Sequence, residues 1–408
     1  MSKKLEMNQC FQVIICGVLF LNPYLFPIEL MANIETKEMK FEVDDMIIKR
    51  SLVHQGNVFR LKKAMEKASA GKKIVFGTIG GSITQGALAS SQENCYANIV
   101  AKWFEDKFGK DRVEFINAGL GATGTGIAAH RACKDLLKYH PDVVITEFAV
   151  NDPNEKSYAE TYEGLLRQIL KQDNKPAVLM LFMVYKNGIS AQPWQEKLGD
   201  YYDLPMISYR DALWPEIEAR RVAWGDIAAD VVHPNDKGHK YCAEFIIYYL
   251  EAVYNQAMPE KAADRPLLQP LISDKFEYTK LLTADNCKVN VNKGWEKSEV
   301  SPLGIGWQSS VPGSLLELEV EGCEIRVVCY QVKGDMGTII AQVDSLDPVE
   351  IDSWFDQDWG GYDSETIVGK DMSNGKHTLK IRLLEKKNKA SNGHLFKIRA
   401  IMVAGTTK

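Results

Sequence analysis

A serine flanked by glycines follows the first strongly apolar segment after residue 32. The segment is "KKIVFGTIG", residues 72–80, and Ser82 stands just after it in "GGSIT". A serine hydroxyl is a weak nucleophile until an adjacent base takes its proton. Gly80 and Gly81 allow the chain to leave a strand sharply and to expose that hydroxyl. The pattern predicts a nucleophilic serine, provided that the chain also supplies a base.

The base is predicted far away in the sequence, in "DVVHPN". His233 carries an imidazole, the side chain that most often accepts a proton near neutral pH. Asp230, three residues earlier, is close enough to orient the imidazole and to stabilise its charged form. Asp226 is a rival carboxylate, but the three-residue spacing favours Asp230. Serine, histidine and aspartate are together the side chains that hydrolysis of an ester requires.

Acyl transfer also needs hydrogen-bond donors for the negatively charged oxygen of its tetrahedral intermediate. Three candidates follow from the sequence. They are the backbone N–H of Ser82, a backbone N–H in the Gly121–Ala122 turn of "NAGLGATG", and the side chain of Asn151 in "AVND". We therefore expect these residues to form an oxyanion hole beside the nucleophile.

Other glycine-based motifs compete with this interpretation. Gly81 and Gly86 have the spacing of a phosphate-binding loop, but alanine and leucine follow where lysine and serine or threonine are needed. Thr84 replaces the last glycine of the G-x-S-x-G nucleophile elbow. "GLGATG", residues 119–124, matches G-x-G-x-x-G, and Glu147 lies where a dinucleotide fold places a ribose ligand. That fingerprint usually follows the first strand of its unit, whereas here it follows the second, so a nucleotide-binding enzyme is the weaker hypothesis.

The elements that must position these residues alternate between strands and helices from residue 72 to 254. Strand-like apolar runs separated by amphipathic helices predict a parallel sheet covered on both faces. In such sheets ligands bind at the carboxyl ends of the strands. Ser82, the glycine-rich loop, Asn151 and His233 all fall there. The predicted strands are residues 72–80, 113–119, 142–150, 177–184 and 204–209.

The pattern changes after residue 256. Residues 257–274 are polar and contain prolines, which is typical of a linker. From residue 275 to 408 the alternation has the period of two that strands show, as in "LLELEVEGCEIRVVCYQV". This segment predicts an all-β sandwich, jelly-roll-like, as an accessory domain.

Together the motifs resemble the SGNH (GDSL-type) hydrolase family over roughly residues 72 to 254. The four family blocks occur in order: "GGSIT", "NAGLGATG", "AVND" and "DVVHPN". The resemblance implies a flavodoxin-like three-layer α/β/α catalytic domain over residues 72–256 and serine esterase activity without a metal or cofactor. It also implies catalytic roles for Ser82, Asp230 and His233.

The chain departs from the family pattern at three positions. Gly81 replaces the aspartate of the commoner "GDS", a variant that is similar to that of several carbohydrate esterases. Ala122 stands where the family has its oxyanion glycine, and a backbone donor works there if the turn tolerates a methyl group. Ala149 replaces the usual glycine of the asparagine block.

Composition narrows the range of partners. The formal net charge of the 408 residues is −5, and no basic stripe is present, which argues against nucleic acid. Beyond residue 32 the cysteines show no C-x-x-C pair, so a zinc ribbon or thioredoxin-type site is unsupported. We expect most of them to be buried free thiols. They are Cys95, Cys133, Cys242, Cys287, Cys323 and Cys329.

The N-terminus predicts export. "MSKK" is basic, and Cys10–Ala32 is almost entirely apolar and ends in a small residue, as in a secretory signal peptide. Pro23 and Pro27 interrupt the run, which disfavours a spanning helix, although an uncleaved membrane anchor is the alternative. Residues 33–71 are an N-terminal extension with one predicted amphipathic helix.

Several other conspicuous residues have simpler structural explanations. His239 is predicted on the last helix, and His130 and His140 have no metal-ligand partner at helical spacing. "DSWFDQDWGGYD", residues 352–363, is either an aromatic platform or active-site rim, or a set of packing aromatics. "GIGWQSS", residues 304–310, is a weaker case of the same kind.

The function predicted from these features is an exported esterase, periplasmic or extracellular. It removes short acyl groups, acetyl above all, from a small ester or an acylated glycan. One alternative is a lipid or thioester hydrolase of the same family. The other is a catalytically inactive glycan-binding protein, which would be favoured if Ser82 and His233 were out of mutual reach.

Overall fold

The computed structural model of the chain describes residues 41–258 and 263–405. The predicted signal segment, Cys10–Ala32, lies outside the described residues. Val43–Lys408 forms one compact unit. No helix within residues 41–258 and 263–405 has both the length and the apolar character of a membrane span.

The first sheet contains the strand ends that carry the candidate residues. Its strands are β1 Leu52–His54, β2 Ile74–Gly80, β3 Val113–Gly119, β4 Val143–Glu147, β5 Ala177–Phe182 and β6 Met206–Ser208. Their order is β1-β6-β5-β4-β2-β3, and β2 to β6 are parallel to their neighbours. This is the flavodoxin-like order, and it confirms the predicted α/β class. The antiparallel edge strand β1 comes from the segment predicted as an extension.

Helices cover the sheet on both faces. On one side α5, α6 and α7 contact one another, and on the other α10 contacts α1, α2, α4 and α8. The apolar runs are buried between these layers, as at Ile79, Val144 and Leu179, which are at most 1% exposed. The helices are α1 Asp45–Ser51, α2 Phe59–Ser69, α3 Ser82–Gln85, α4 Tyr96–Phe108, α5 Thr125–Asp135, α6 Lys156–Leu170, α7 Gln192–Tyr202, α8 Tyr209–Glu218, α9 Trp224–Ile227 and α10 Asp236–Asn255.

The C-terminal part is all β and antiparallel, as predicted. One sheet has the order β15-β12-β17-β10-β9, with β7 also paired to β17, and the other has the order β14-β13-β16-β11-β8. The alternation in β11 turns Leu316, Leu318 and Val320 into the core between the sheets. The strands of this C-terminal sandwich are β7 Thr279–Leu282, β8 Lys288–Lys293, β9 Glu296–Ser301, β10 Gly304–Ser309, β11 Leu315–Gly322, β12 Glu324–Gln331, β13 Thr338–Val343, β14 Val349–Asp352, β15 Tyr362–Gly369, β16 Gly375–Leu383 and β17 Phe396–Ala404.

The C-terminal sandwich packs directly against α5 and α6. Ile127 on α5 joins an apolar cluster with Val328 and Ala400 of the sandwich. Beside it, the α5 backbone approaches so closely that a Cβ on Gly126 would lie 2.3 Å from a carboxylate oxygen of Glu365. A buried ion pair between Arg167 and Glu277 adds a second contact. The sandwich is therefore held at a fixed distance from the loop that precedes α5.

Candidate active site

Ser82 begins the short helix α3 immediately after β2. Its backbone N–H belongs to the first turn of that helix, where N–H groups have no intrahelical partner. The turn is crowded, because a Cβ on Gly80 would lie 2.1 Å from the Thr84 hydroxyl oxygen. Glycine at position 80 therefore allows α3 to fold back against the strand and to present Ser82 at the end of the sheet.

Ser82, His233 and Asp230 form one hydrogen-bonded chain. The Ser82 hydroxyl oxygen lies 2.8 Å from His233 Nε2. The other ring nitrogen, Nδ1, lies 2.7 Å from Asp230 Oδ2. With the proton on Nδ1, the imidazole donates to the carboxylate and accepts the serine hydroxyl through Nε2. An arrangement of this kind can activate a hydroxyl for attack on an ester carbonyl.

The Asp230 carboxylate also fixes the backbone around the histidine. Its Oδ1 accepts hydrogen bonds from the N–H groups of Val232 and His233, at 2.8 and 2.7 Å. Partial burial raises the pKa of Asp230, but these hydrogen bonds and the one from the imidazole outweigh it and hold the pKa below its usual range. The rival Asp226 instead accepts from the Ala223 N–H at 3.0 Å, at the start of α9.

The Gly121–Ala122 turn contributes one free backbone donor to the cleft. The Gly121 N–H donates to the side-chain oxygen of Gln85 at 2.9 Å. Ala122 is exposed, and no hydrogen bond among the described residues uses its N–H. Its φ of 54° lies in the left-handed region, so the turn does accept a methyl group where glycine would be unstrained. Of the two N–H groups in this turn, that of Ala122 is thus the one available to a ligand.

Asn151 lies beside the nucleophile turn, as the sequence predicts. Its Oδ1 is buried and has no hydrogen-bond partner among the described residues. The amide occupies the space where a side chain at position 81 would project, since a Cβ on Gly81 would lie 2.3 to 2.6 Å from three Asn151 side-chain atoms. In this structure a side chain at position 81 would therefore have to displace the Asn151 amide.

Replacing Gly81 by alanine is expected to lower kcat/KM for p-nitrophenyl acetate by about 10- to 100-fold. The added methyl group would displace the Asn151 amide, and loss of one oxyanion donor typically costs about 10²-fold or more in rate. Gly225→Ala is the matched control, because a Cβ there would meet no atom within 4 Å. Unchanged activity in a folded Gly81→Ala protein would show that the position of Asn151 is unimportant.

Two buried carboxyl groups accept hydrogen bonds from the elements that carry the site residues. Glu147, at the end of β4, is fully buried and accepts a hydrogen bond from the Thr84 hydroxyl at 3.1 Å. Burial raises its pKa to about 7. Asp152 accepts from the backbone and hydroxyl of Thr125 at 3.0 and 2.7 Å, and burial raises its pKa to about 7 as well.

Because Glu147 is fully buried behind the nucleophile turn, a ribose in the cleft could not reach it. This removes the main support for the nucleotide hypothesis.

The candidate residues line a cleft of about 840 Å³ that has two walls. The α/β domain supplies the first wall, with the Ser82–His233–Asp230 chain, Asn151 and the exposed side chains of Leu88 and Val231. The C-terminal sandwich supplies the second, which we name the sandwich wall. Its members are Pro302, Tyr330, Trp359, Gly361, Tyr362, Asp363 and Arg399.

The aromatic segment 352–363 thus reaches the rim of the cleft. Trp359 is 61% exposed, and its ring lies 5.8 Å from that of Tyr362, both of which contact Phe355. The sequence suggested this segment as one of two alternatives. Asp363 is the last residue of that segment, whereas nothing in the sequence predicts Arg399 at the cleft; the packing of the sandwich on α5 brings both there.

Among the described residues, no histidine other than His233 and no cysteine lines the cleft. His239 is buried beside the Tyr96 backbone, and His130 is buried with Nδ1 2.7 Å from the Gly126 carbonyl. The six described cysteines are free thiols; Cys133 is exposed and three others are buried. Within the described residues no cluster of three or more His, Cys, Asp or Glu side chains is placed to hold a metal ion.

Comparison with known proteins identifies relatives of the whole two-part architecture. The model of the GDSL-like lipase/acylhydrolase family matches residues 78–241, a range that contains Ser82, Asn151 and His233. A crystal structure of a two-domain esterase active on acetylated mannans is 31% identical, with a TM-score of 0.82, over 88% of this chain and 99% of that one. The same kind of esterase co-crystallised with mannopentaose gives 31% identity and a TM-score of 0.81, over 90% and 100% of the two chains. No curated protein matches.

The match to the two-domain esterase spans both the α/β domain and the C-terminal sandwich. Such coverage at this identity extends well beyond a shared fold. The chain belongs to the GDSL-like lipase/acylhydrolase family and is a carboxylic ester hydrolase.

Proposed function

We propose that this protein is a serine esterase that removes short acyl groups, acetyl above all, from a carbohydrate. The observation that carries the proposal is the hydrogen-bonded chain from Ser82 through His233 to Asp230, open to a cleft with an aromatic opposite wall. The related two-domain esterase that acts on acetylated mannans supports the choice of substrate class.

The proposed mechanism begins with attack of the Ser82 hydroxyl oxygen on the ester carbonyl carbon. His233 Nε2 accepts the hydroxyl proton, and Asp230 stabilises the imidazolium that results. The carbonyl oxygen becomes an oxyanion that accepts hydrogen bonds from the Ser82 N–H, the Ala122 N–H and the Asn151 side chain. The imidazolium then protonates the departing sugar oxygen, and an acyl group remains on Ser82.

Water then hydrolyses the acyl-enzyme, with His233 acting first as a base and then as an acid. His233 takes a proton from the water as its oxygen attacks the acyl carbon, and the same donors hold the second oxyanion. Collapse of this intermediate returns the proton to the Ser82 oxygen and releases the free carboxylic acid. The proton transfers of both half-reactions would run along the Ser82–His233 hydrogen bond, beside the His233–Asp230 hydrogen bond.

The sandwich wall supports a carbohydrate as the acyl carrier. A sugar ring has apolar C–H faces that pack on aromatic rings, and the exposed Trp359 offers such a surface across the cleft from Ser82. The predicted export segment, Cys10–Ala32, lies outside the described residues but fits an enzyme that acts on polymeric glycans. We propose a periplasmic or extracellular location on that basis.

Acetate release from acetylated glycans tests the proposal directly. We expect release from acetylated manno-oligosaccharides, and a kcat/KM for p-nitrophenyl acetate at least about tenfold above that for the octanoate ester. Trp359→Ala should lower kcat/KM for the oligosaccharides by about tenfold, because burial of an aromatic face contributes on the order of 1–2 kcal/mol.

Tyr248→Ala provides the control for an exposed aromatic outside the cleft. Preference for the octanoate ester would favour the lipid hydrolase alternative. If the wild-type protein released no acid from any ester but bound glycans, the inactive glycan-binding alternative would replace the proposal.

A further inference from the structure

The sandwich wall contains an arginine and a carboxylate that face the same cleft as the nucleophile. Arg399 lies on β17 and Asp363 on β15, and the side chains are only 9% and 10% exposed. Both line the cleft together with Ser82 and His233. The guanidinium carbon of Arg399 lies 4.4 Å from the centre of the Tyr330 ring, so the guanidinium group packs on that ring.

Three polar atoms of this pair lack hydrogen-bond partners among the described residues. Arg399 Nε and Nη1 and Asp363 Oδ1 are buried, and none makes a hydrogen bond to any described residue. Nε and Oδ1 do lie 3.2 Å apart, but the N–H does not point at the oxygen. Buried polar groups in folded proteins are nearly always paired, so an unpaired set that lines a cleft indicates that a ligand completes it.

The charges around the pair indicate which kind of ligand fits. Glu299 lies 3.9 Å from Arg399 Nη1, so two carboxylates face one guanidinium, while Lys397 pairs with Glu299 at 2.7 Å. A carboxylate on the ligand would be attracted by Arg399 but repelled by Asp363 and Glu299. Adjacent sugar hydroxyls satisfy both groups, because each hydroxyl accepts from an N–H and donates to a carboxylate.

We infer that Arg399 and Asp363 form a specificity site that binds adjacent hydroxyls of an uncharged sugar unit in the substrate. The inference rests on the proposed carbohydrate esterase function and deepens it by naming the sugar chemistry. Trp359 and Tyr362 supply the apolar face next to this polar pair. Uronic acid units are disfavoured at the same position.

Calorimetric titration of the full-length Ser82→Ala protein tests the inference without turnover. We expect mannopentaose to bind and a pentamer of galacturonic acid to bind at least tenfold more weakly. Asp363→Asn and Arg399→Met, each added to Ser82→Ala, should weaken mannopentaose binding at least tenfold. Arg382→Met is the matched control, since Arg382 is an exposed arginine of β16 outside the cleft.

The outcomes separate this inference from the proposed function. If the wild type releases acetate from acetylated mannan while both variants bind mannopentaose as tightly as Ser82→Ala alone, the esterase function stands and the specificity site is wrong. Equal affinity for the galacturonic acid pentamer would overturn the choice of an uncharged sugar. Failure of the wild type on every ester would remove the function and the inference together. If Arg399→Met does not fold, mannopentaose binding by the nearly isosteric Asp363→Asn variant and the charge-keeping Arg399→Lys variant tests the inference instead.

Discussion

Replacing Ser82 by alanine is expected to lower kcat/KM for p-nitrophenyl acetate by at least about 10⁴-fold. Without the hydroxyl no acyl-enzyme can form, and what remains is the oxyanion hole acting on attack by water. The hydroxyl is half-buried and, among the described residues, bonds only to His233, so its removal should leave the folded structure intact. The measurement is steady-state hydrolysis together with a thermal melt of both proteins.

Ser91→Ala is the matched control for this experiment. Ser91 is an exposed serine nine residues further along the chain, and it does not line the cleft. We expect the control to keep wild-type activity. A folded Ser82→Ala protein with more than a few per cent of the wild-type rate would disprove nucleophilic catalysis by this residue.

Replacing Asp230 by asparagine is expected to lower kcat/KM by about 10²- to 10³-fold. The new amide can still accept from the Val232 and His233 backbone N–H groups, so the loop keeps its shape. Its NH₂ group, however, faces His233 Nδ1 and forces the ring proton onto Nε2, which then cannot accept from Ser82. The loss of kcat/KM should be smaller than for a fully buried aspartate, because 40% of the Asp230 side chain is exposed and water competes for its hydrogen bonds.

Asp226→Asn is the natural comparison, because Asp226 has the same side chain four residues earlier but caps α9. Its activity should stay within about twofold of wild type, with at most a small loss of stability from the weakened cap. Equal losses in the two variants would mean that the 226–233 loop matters as a whole and that Asp230 has no special role.

The strand ends could be predicted from sequence because the relevant signals are local. Apolar runs and glycines mark where β2 and β3 end, and parallel topology then brings Ser82 and the glycine loop to one edge. The partners of His233 followed from the three-residue spacing to Asp230. The short strand β1 gave no such signal, since three residues acquire strand geometry only by pairing with β6.

The sequence offered residues 352–363 as an active-site rim only beside the alternative of packing aromatics, and the position of the sandwich wall opposite Ser82 could not be derived from it. Arg399 and Asp363 lie in strands whose alternation indicates only which side chains enter the sandwich core. Their position opposite Ser82 depends on the contact between the sandwich and α5, through Ile127 and the close approach at Gly126. Such a contact between distant segments leaves no short-range pattern in either one.

The place of β17 in its sheet has a consequence for the order in which the cleft is completed during synthesis. Residues 396–404 form β17, which pairs with β12, β10 and β7, so it lies inside a sheet whose other strands all come earlier in the chain. The sandwich sheet cannot close before this strand has been synthesised, whereas every strand of the α/β domain has already been made by then. The sandwich wall, which includes Arg399 of β17, is therefore the last part of the cleft to be completed.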